Sequence, residues 1–358
     1  MLASLAGLGP AGAQAPSAVC TSPRIGFLGP ITGDAAFIGK EQLGFAKYAI
    51  RELGVGKVKL IEGDTQLRPA RAATVARAFH ANQDVLAVVG PAGSQEVLAV
   101  APIFTNAHRL PFISGSAIQA SLTNGSIPSF FRVVPNDRAQ APTIATFIQR
   151  VLKAKTVFVV DDRTAYSRPL ADGVQARLRA GGVRVTRRSV DQKETDFSPL
   201  VTEIGAGVDV VFLPWQIAAN AQIFGRQLRQ HDKKAIVFGS DAVDSGDFQL
   251  AGSYVSSFAP DIRGIRGNDA FIRRYGKPFV SNFGPPAYVA TQAAIAAIRK
   301  ACADGAATRA EVDKNLQATF IPRIVLGGSL RFTARGDRKG ASFSVFKLVA
   351  GGKKTLVG

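Results

Sequence analysis

Side chains that bind metals or do redox work are scarce in this chain. Its 358 residues include only two cysteines, three histidines, one methionine and one tryptophan. Cys20 and Cys302 belong to no C-x-x-C pair, which argues against a thiolate metal site. His80, His108 and His231 stand alone near the ends of helix-like runs, where surface or capping roles are expected. No Walker A sequence and no G-x-S-x-G elbow is present. Gly7-x-Gly9-x-x-Gly12 has the spacing of a dinucleotide fingerprint but no strand before it. Asp161-Asp162 follows a strand, yet no third carboxylate is suitably spaced, so loop solvation is the expectation. Together these absences predict a protein that is not an enzyme and carries no cofactor or metal. Acidic residues are also few, 26 against 44 lysines and arginines, for a formal charge of +18. Nucleic acid is the first partner such a charge suggests. The basic residues are scattered, however, and the densest groups, "RVTRRS" and "IRRYGK", are short and lack interleaved aromatics. No nucleic-acid partner is expected; a solvated basic surface facing anionic cell-envelope polymers fits better.

Long apolar runs are missing too, apart from the start. Residues 1–15, "MLASLAGLGPAGAQA", are small and apolar and end in Ala-x-Ala patterns, like the end of a secretory leader. A charged n-region is missing, as expected if a longer leader precedes it. The stretch is too short for a membrane span. Val19 before Cys20 is too bulky for a lipoprotein site. The mature chain is therefore expected outside the cytoplasm, where two lone cysteines most simply pair with each other.

What the sequence does contain is rhythm. Short apolar runs alternate with helix-like runs: "RIGFLGPI", "KVKLIEGD", "VLAVVGP" and "LPFISGS" in the first part, "TVFVVDD", "VRVTRRSV", "VDVVFLPW" and "AIVFGSD" in the second. This predicts an α/β fold with parallel strands covered on both faces. The rhythm breaks at "FFRVVPNDRAQ". After "SYVSSFAPDIRG" a long helix, "GPPAYVATQAAIAAIRKACADG", and an alternating strand, "SFSVFKLVA", complete the chain. Ligands of such sheets bind at the carboxyl ends of strands. Four corners lie there: "GPAGS", "SGSAI", "GSDAV" and Tyr166. Ser94 would offer a hydroxyl and a backbone N–H to an anion at a helix start, or simply cap that helix. Asp241 would receive a cation, or cap the turn that follows. Tyr166 would close over a ligand, or fill the core.

In order and spacing, these segments resemble the solute-binding proteins of branched-chain amino-acid-type ABC transporters, the Leu/Ile/Val-binding family. The resemblance runs from about residue 24 to the C-terminus. It is carried by "IGFLGPITGDAAFIGKEQLGFAKYAI", "VVGPAGSQEV", "ISGSAIQASLT", "FFRVVPND", "VVDDRTAYSRPLADGVQ", "VDVVFLPWQ", "FGSDAV" and "FGPPAYVATQAAIAAI". It implies a periplasmic-binding-protein type I fold: two Rossmann-like lobes, a three-segment hinge, and a cleft that closes on its ligand. Residues 1–23 would be leader and extension, 24–134 with 261–330 one lobe, and 135–260 with 331–358 the other. The crossings would fall near residues 134–136, 258–260 and 331–333. By the same resemblance Ser94 holds a ligand carboxylate, Ser116, Ala117 and Ile118 supply backbone and hydroxyl contacts, Tyr166 closes the site, and Asp241 takes the α-ammonium. Ile118 stands where the family often has threonine, Ile38 where it often has an aromatic, and Gln216, beside Trp215, where it often has tyrosine. The resemblance places Cys20 and Cys302 in the first lobe. It implies a monomeric receptor for an amino-acid-like ligand, with a membrane permease as partner. A sensor, or a receptor for an aromatic or other small carboxylate, would use the same fold.

Overall fold

The computed structural model describes residues 18–350 and 353–358, except 55, 107 and 280. The leader-like stretch expected at the N-terminus falls, up to residue 17, outside the described residues. A short helix, α1 (Ala18–Thr21), leads into β1 (Arg24–Gly29), α2 (Ala36–Leu53), β2 (Lys59–Asp64), α3 (Pro69–Ala81), β3 (Val85–Val89), α4 (Ser94–Phe104), β4 (Phe112–Ser114) and β5 (Phe130–Arg132). The five strands form a parallel sheet in the order β2-β1-β3-β4-β5. Every residue of β3, "VLAVV", is buried, as a strand covered on both faces demands.

The chain then leaves this sheet. It continues through α5 (Asp137–Thr146), β6 (Thr156–Asp161), α6 (Ser167–Ala180), β7 (Arg184–Ser189), α7 (Ser198–Glu203), β8 (Val210–Leu213), α8 (Ala218–Gln230), β9 (Ile236–Gly239) and β10 (Tyr254–Ser257). It returns to the first sheet through α9 (Asp269–Tyr275), α10 (Gly284–Ala301), α11 (Arg309–Gln317) and the small β11–β12 hairpin (Phe320–Ile321, Leu330–Arg331). A last passage delivers β13 (Ser344–Leu348) and β14 (Lys354–Leu356) to the second sheet, whose order is β14-β13-β10-β9-β8-β6-β7. The chain thus passes between two sheets three times.

Two of these elements depart from the sequence reading. "FFR", expected as a break, is the edge strand β5, paired in register with β4. The residues after it form α5 despite Pro142 inside the helix.

Three cores hold the layers. One lies between the first sheet and α3 and α4, and a second between the second sheet and α7 and α8. The third begins between the first sheet and α2 and α10, passes Phe131, Val133 and Val134, and continues under α5 and α6. It therefore runs through both lobes. Arg132, fully buried at the end of β5, pins two passages together. Its Nε donates to Asp337 at 2.5 Å and its Nη1 to the carbonyls of Ala117 and Gln119 at 3.1 and 2.8 Å. Asn136 and Thr123 also donate to Asp337. A disulfide joins Cys20 to Cys302, fastening the N-terminal turn to the end of α10.

Candidate functional site

The corner after β3 begins at Gly90, whose φ is +116° and whose Cβ, if present, would stand 2.0 Å from the carbonyl oxygen of Leu28. Only glycine lets the chain press against β1 and turn there. The Gly90–Pro91 bond is cis. Gly93 caps α4, so Ser94 is the first residue of the helix and not its cap. Glu96 does the capping instead, accepting the Gly93 N–H at 2.8 Å. The N–H groups of Glu96 and Val97 return to the Gly93 carbonyl, which leaves those of Ser94 and Gln95 with no acceptor in the helix. The Ser94 hydroxyl is buried and accepts the Gln119 N–H at 3.3 Å. The corner thus gathers a hydroxyl and first-turn amides, which together with the helix dipole favour an anion. Glu96 lies beneath it. Burial raises its carboxyl to about 7, opposed by hydrogen bonds from Thr65 and Gly93 and reinforced by the charge of Asp64.

The corner after β4 is a brace. Ser114 donates to the Pro91 carbonyl at 2.6 Å, and Ser116 donates to that of Ala92 at 2.8 Å while accepting from Gln42 at 2.8 Å. The Ala117 N–H goes to the Ser114 hydroxyl, and the Ile118 carbonyl accepts the Asp137 N–H. Of the contacts expected from Ser116, Ala117 and Ile118, these hydrogen-bonding groups are therefore already engaged in holding the loops; the carbonyls keep a second lone pair each.

Across from them, Asp241 opens a 3-10 turn after β9 and is buried. Tyr166 donates to its Oδ1 at 2.9 Å, and Gln140 donates to the same oxygen. Burial raises the Asp241 carboxyl to about 7, against the hydrogen bonds from Tyr166 and Gln140. Asp241 forms no ion pair among the described residues. The Oε1 of Gln140 is buried beside it and likewise has no partner among them. Tyr166, raised well above its ordinary value by burial and by the Asp241 charge, stays a neutral donor.

Contacts between the two sheets' loops link these two ends. Gln95, next to Ser94, pairs with Gln216, and Gln216 sits beside Trp215, whose carbonyl accepts from Ser240, the neighbour of Asp241.

One expectation needs correction, and two residues take a definite place. The Trp215 ring packs against Phe197 and Phe224, and its indole N–H donates to the Val160 carbonyl at 2.7 Å. Ile38 is buried, as Ser94 and Asp241 are. Its neighbour Phe37 is half-buried, packs against the cores of both lobes and meets Phe283 edge-on. One residue along a helix turns the side chain by about 100°, so the aromatic is present one position earlier. Asp161 and Asp162 are buried, not solvated. Asp161 pairs with Arg187 at 2.8 Å, and Asp162 closes a turn onto Thr164. Among the described residues no cluster of three metal-ligating side chains occurs, and no helix is long and apolar enough to cross a membrane. Gln95, Gln140 and Phe37 escaped the sequence reading.

Comparison with known proteins agrees with the fold. A family model described as periplasmic binding protein matches residues 22–353. An amino acid binding protein of Pseudomonas aeruginosa is 27% identical over 343 residues, covering 90% of this chain and 89% of that protein. The crystal structure of a leucine binding protein from Thermotoga maritima superimposes with a TM-score of 0.84 at 21% identity, covering 94% of this chain and 98% of that one. A solute-binding protein from R. palustris, solved in complex with benzoate, gives 0.82 at 18% identity, covering 94% and 96%. The chain belongs to the periplasmic binding protein family and has its two-lobed fold.

Proposed function

We propose that this chain is an extracytoplasmic receptor of an ABC importer, which closes on an α-amino acid and delivers it to a membrane permease. It performs no chemistry on its ligand. The observation that carries this reading is Asp241, a buried carboxylate with no cation paired to it among the described residues. Burying such a charge is costly unless something positive meets it. Both of its side-chain donors use Oδ1, which leaves Oδ2 for a ligand ammonium, with Gln140 Oε1 as a further acceptor nearby. The first turn of α4, with Ser94, takes the ligand carboxylate. The ligand's side chain meets Phe37 and the rings around it, which favours an apolar amino acid. The relatives named above support this direction.

A second reading has an observation of its own. A carboxyl raised to about 7 is protonated in mild acid and can then donate, so a plain aromatic carboxylate could also be held among Phe37, Phe258 and Phe283. Calorimetric titration with L-leucine and with benzoate, each at about pH 8 and about pH 6, separates the two. Leucine binding that Asp241→Asn weakens by about 2–5 kcal/mol supports the amino-acid reading. Benzoate binding that is equal in parent and variant, with leucine silent, overturns it.

A further inference from the structure

The side chains of Gln95 and Gln216 face each other from opposite lobes. The Gln95 Nε2 donates to Gln216 Oε1 at 3.0 Å, and the Gln216 Nε2 donates back to Gln95 Oε1 at 3.3 Å. Two carboxamides joined in this reciprocal way form a closed ring of two hydrogen bonds. The second-lobe partner is held ready for it. Gln192 donates to the other lone pair of Gln216 Oε1 at 3.0 Å, and the Gln216 backbone N–H goes to Asp162 at 3.3 Å. Gln192 is steadied in turn by Asn220, which donates to its carbonyl at 3.1 Å. On the first lobe, Gln95 sits in the opening turn of α4, one residue after Ser94.

We infer that the Gln95–Gln216 pair is an interlobe latch, which sets how long the closed form lasts whatever ligand lies inside. This rests on the reading that the lobes close on a ligand. Both groups are neutral amides, so the latch does not titrate and adds the same increment to every ligand the cleft can hold. It differs in this from Ser94 and Asp241, whose charges or dipoles sort ligands. Gln216 therefore acts on affinity through the lobes and not through ligand contact. Both bonds break when the lobes separate, so losing them speeds ligand escape.

The test uses Gln95→Ala, Gln216→Ala and the double variant, with L-leucine and benzoate as probes. Losing two partly buried neutral hydrogen bonds should cost about 5–30-fold in affinity. The expected result is that loss in each single variant, carried by faster dissociation in stopped flow. The double variant should be no weaker than the weaker single one. Additive losses, or a change confined to association, overturn the latch. If neither probe binds the parent, the amino-acid reading fails while the latch is still tested by ligand-free protein. Spin labels on introduced cysteines in α3 and α8 should then report longer interlobe distances in both single variants than in the parent. Identical distance distributions overturn it.

Discussion

Binding of a zwitterionic amino acid should expel a proton from Asp241. In the ligand-free protein this carboxyl titrates at about 7, so at about pH 6 roughly nine molecules in ten hold it protonated. An arriving ammonium stabilises the ionised form, and the proton must leave. From Asp241 alone, affinity falls about tenfold for each pH unit below 7, or about 100-fold between pH 8 and pH 5. Glu96 acts in the opposite sense. It also titrates at about 7, and a ligand carboxylate on the first turn of α4 disfavours its charge, so it takes up a proton. At about pH 6 Glu96 is already about nine-tenths protonated and can take up at most about 0.1 proton, so the parent should release about 0.8 proton per ligand and Glu96→Gln about 0.9. Asp241→Asn should abolish the release. Calorimetry with L-leucine in two buffers of different ionisation enthalpy counts these protons. Leucine binding to Glu96→Gln at pH 6 with no proton released would refute the idea that the ammonium meets Asp241.

Other outcomes are as definite. Ser94→Ala should weaken acidic and zwitterionic ligands by about 1.5–3 kcal/mol, read by the same titration; an unchanged Kd would leave Ser94 as packing only. Both Asp241 and Glu96 titrate above their ordinary values of 3.8 and 4.5. The folded protein therefore keeps protons that the unfolded chain loses, and ligand-free stability should fall as pH rises from about 4 to about 7. Thermal unfolding across that range checks the sign, and Glu96→Gln should flatten the slope. Reducing the Cys20–Cys302 bridge, which spans 282 residues, should lower stability by about 5–6 kcal/mol in the chain-entropy model, measured by denaturant titration with and without reductant. Gly90→Ala should cost about 3 kcal/mol or more, since its φ of +116° and the Leu28 carbonyl both oppose a side chain; equal denaturation midpoints would count against the described corner.

Much of the fold was legible because its strands are short apolar runs that end in glycine, proline or serine. Ser94, Tyr166 and Asp241 stood out for the same reason, each just beyond such a run. The edge strand β5 was not legible. Three residues are too few to show a period, and Pro135 and Pro142 disguised the helix that follows. Two amides that complete the site left no mark either. Gln95 and Gln140 have partners 121 and 101 residues away, and glutamine reads as ordinary surface unless its partner is known. The burial of Asp161 was hidden likewise, because Arg187, which neutralises it, arrives on the neighbouring strand.

The threefold passage between sheets also dictates an order of assembly. Strands β1 to β5 are made first, yet the helix α10 that covers one face of their sheet begins only at Gly284. The second sheet waits still longer for β13 and β14. A chain emerging from its N-terminus therefore presents a half-covered first sheet until α10 is made, and a second sheet with β10 open at its edge until β13 arrives. Cys20 likewise has a free thiol until Cys302 is made. Contacts so distant in sequence favour slow folding and leave apolar surface open to aggregation in the meantime. A nascent chain of this architecture depends on whatever shields it between the making of Val89 and the arrival of Ala301.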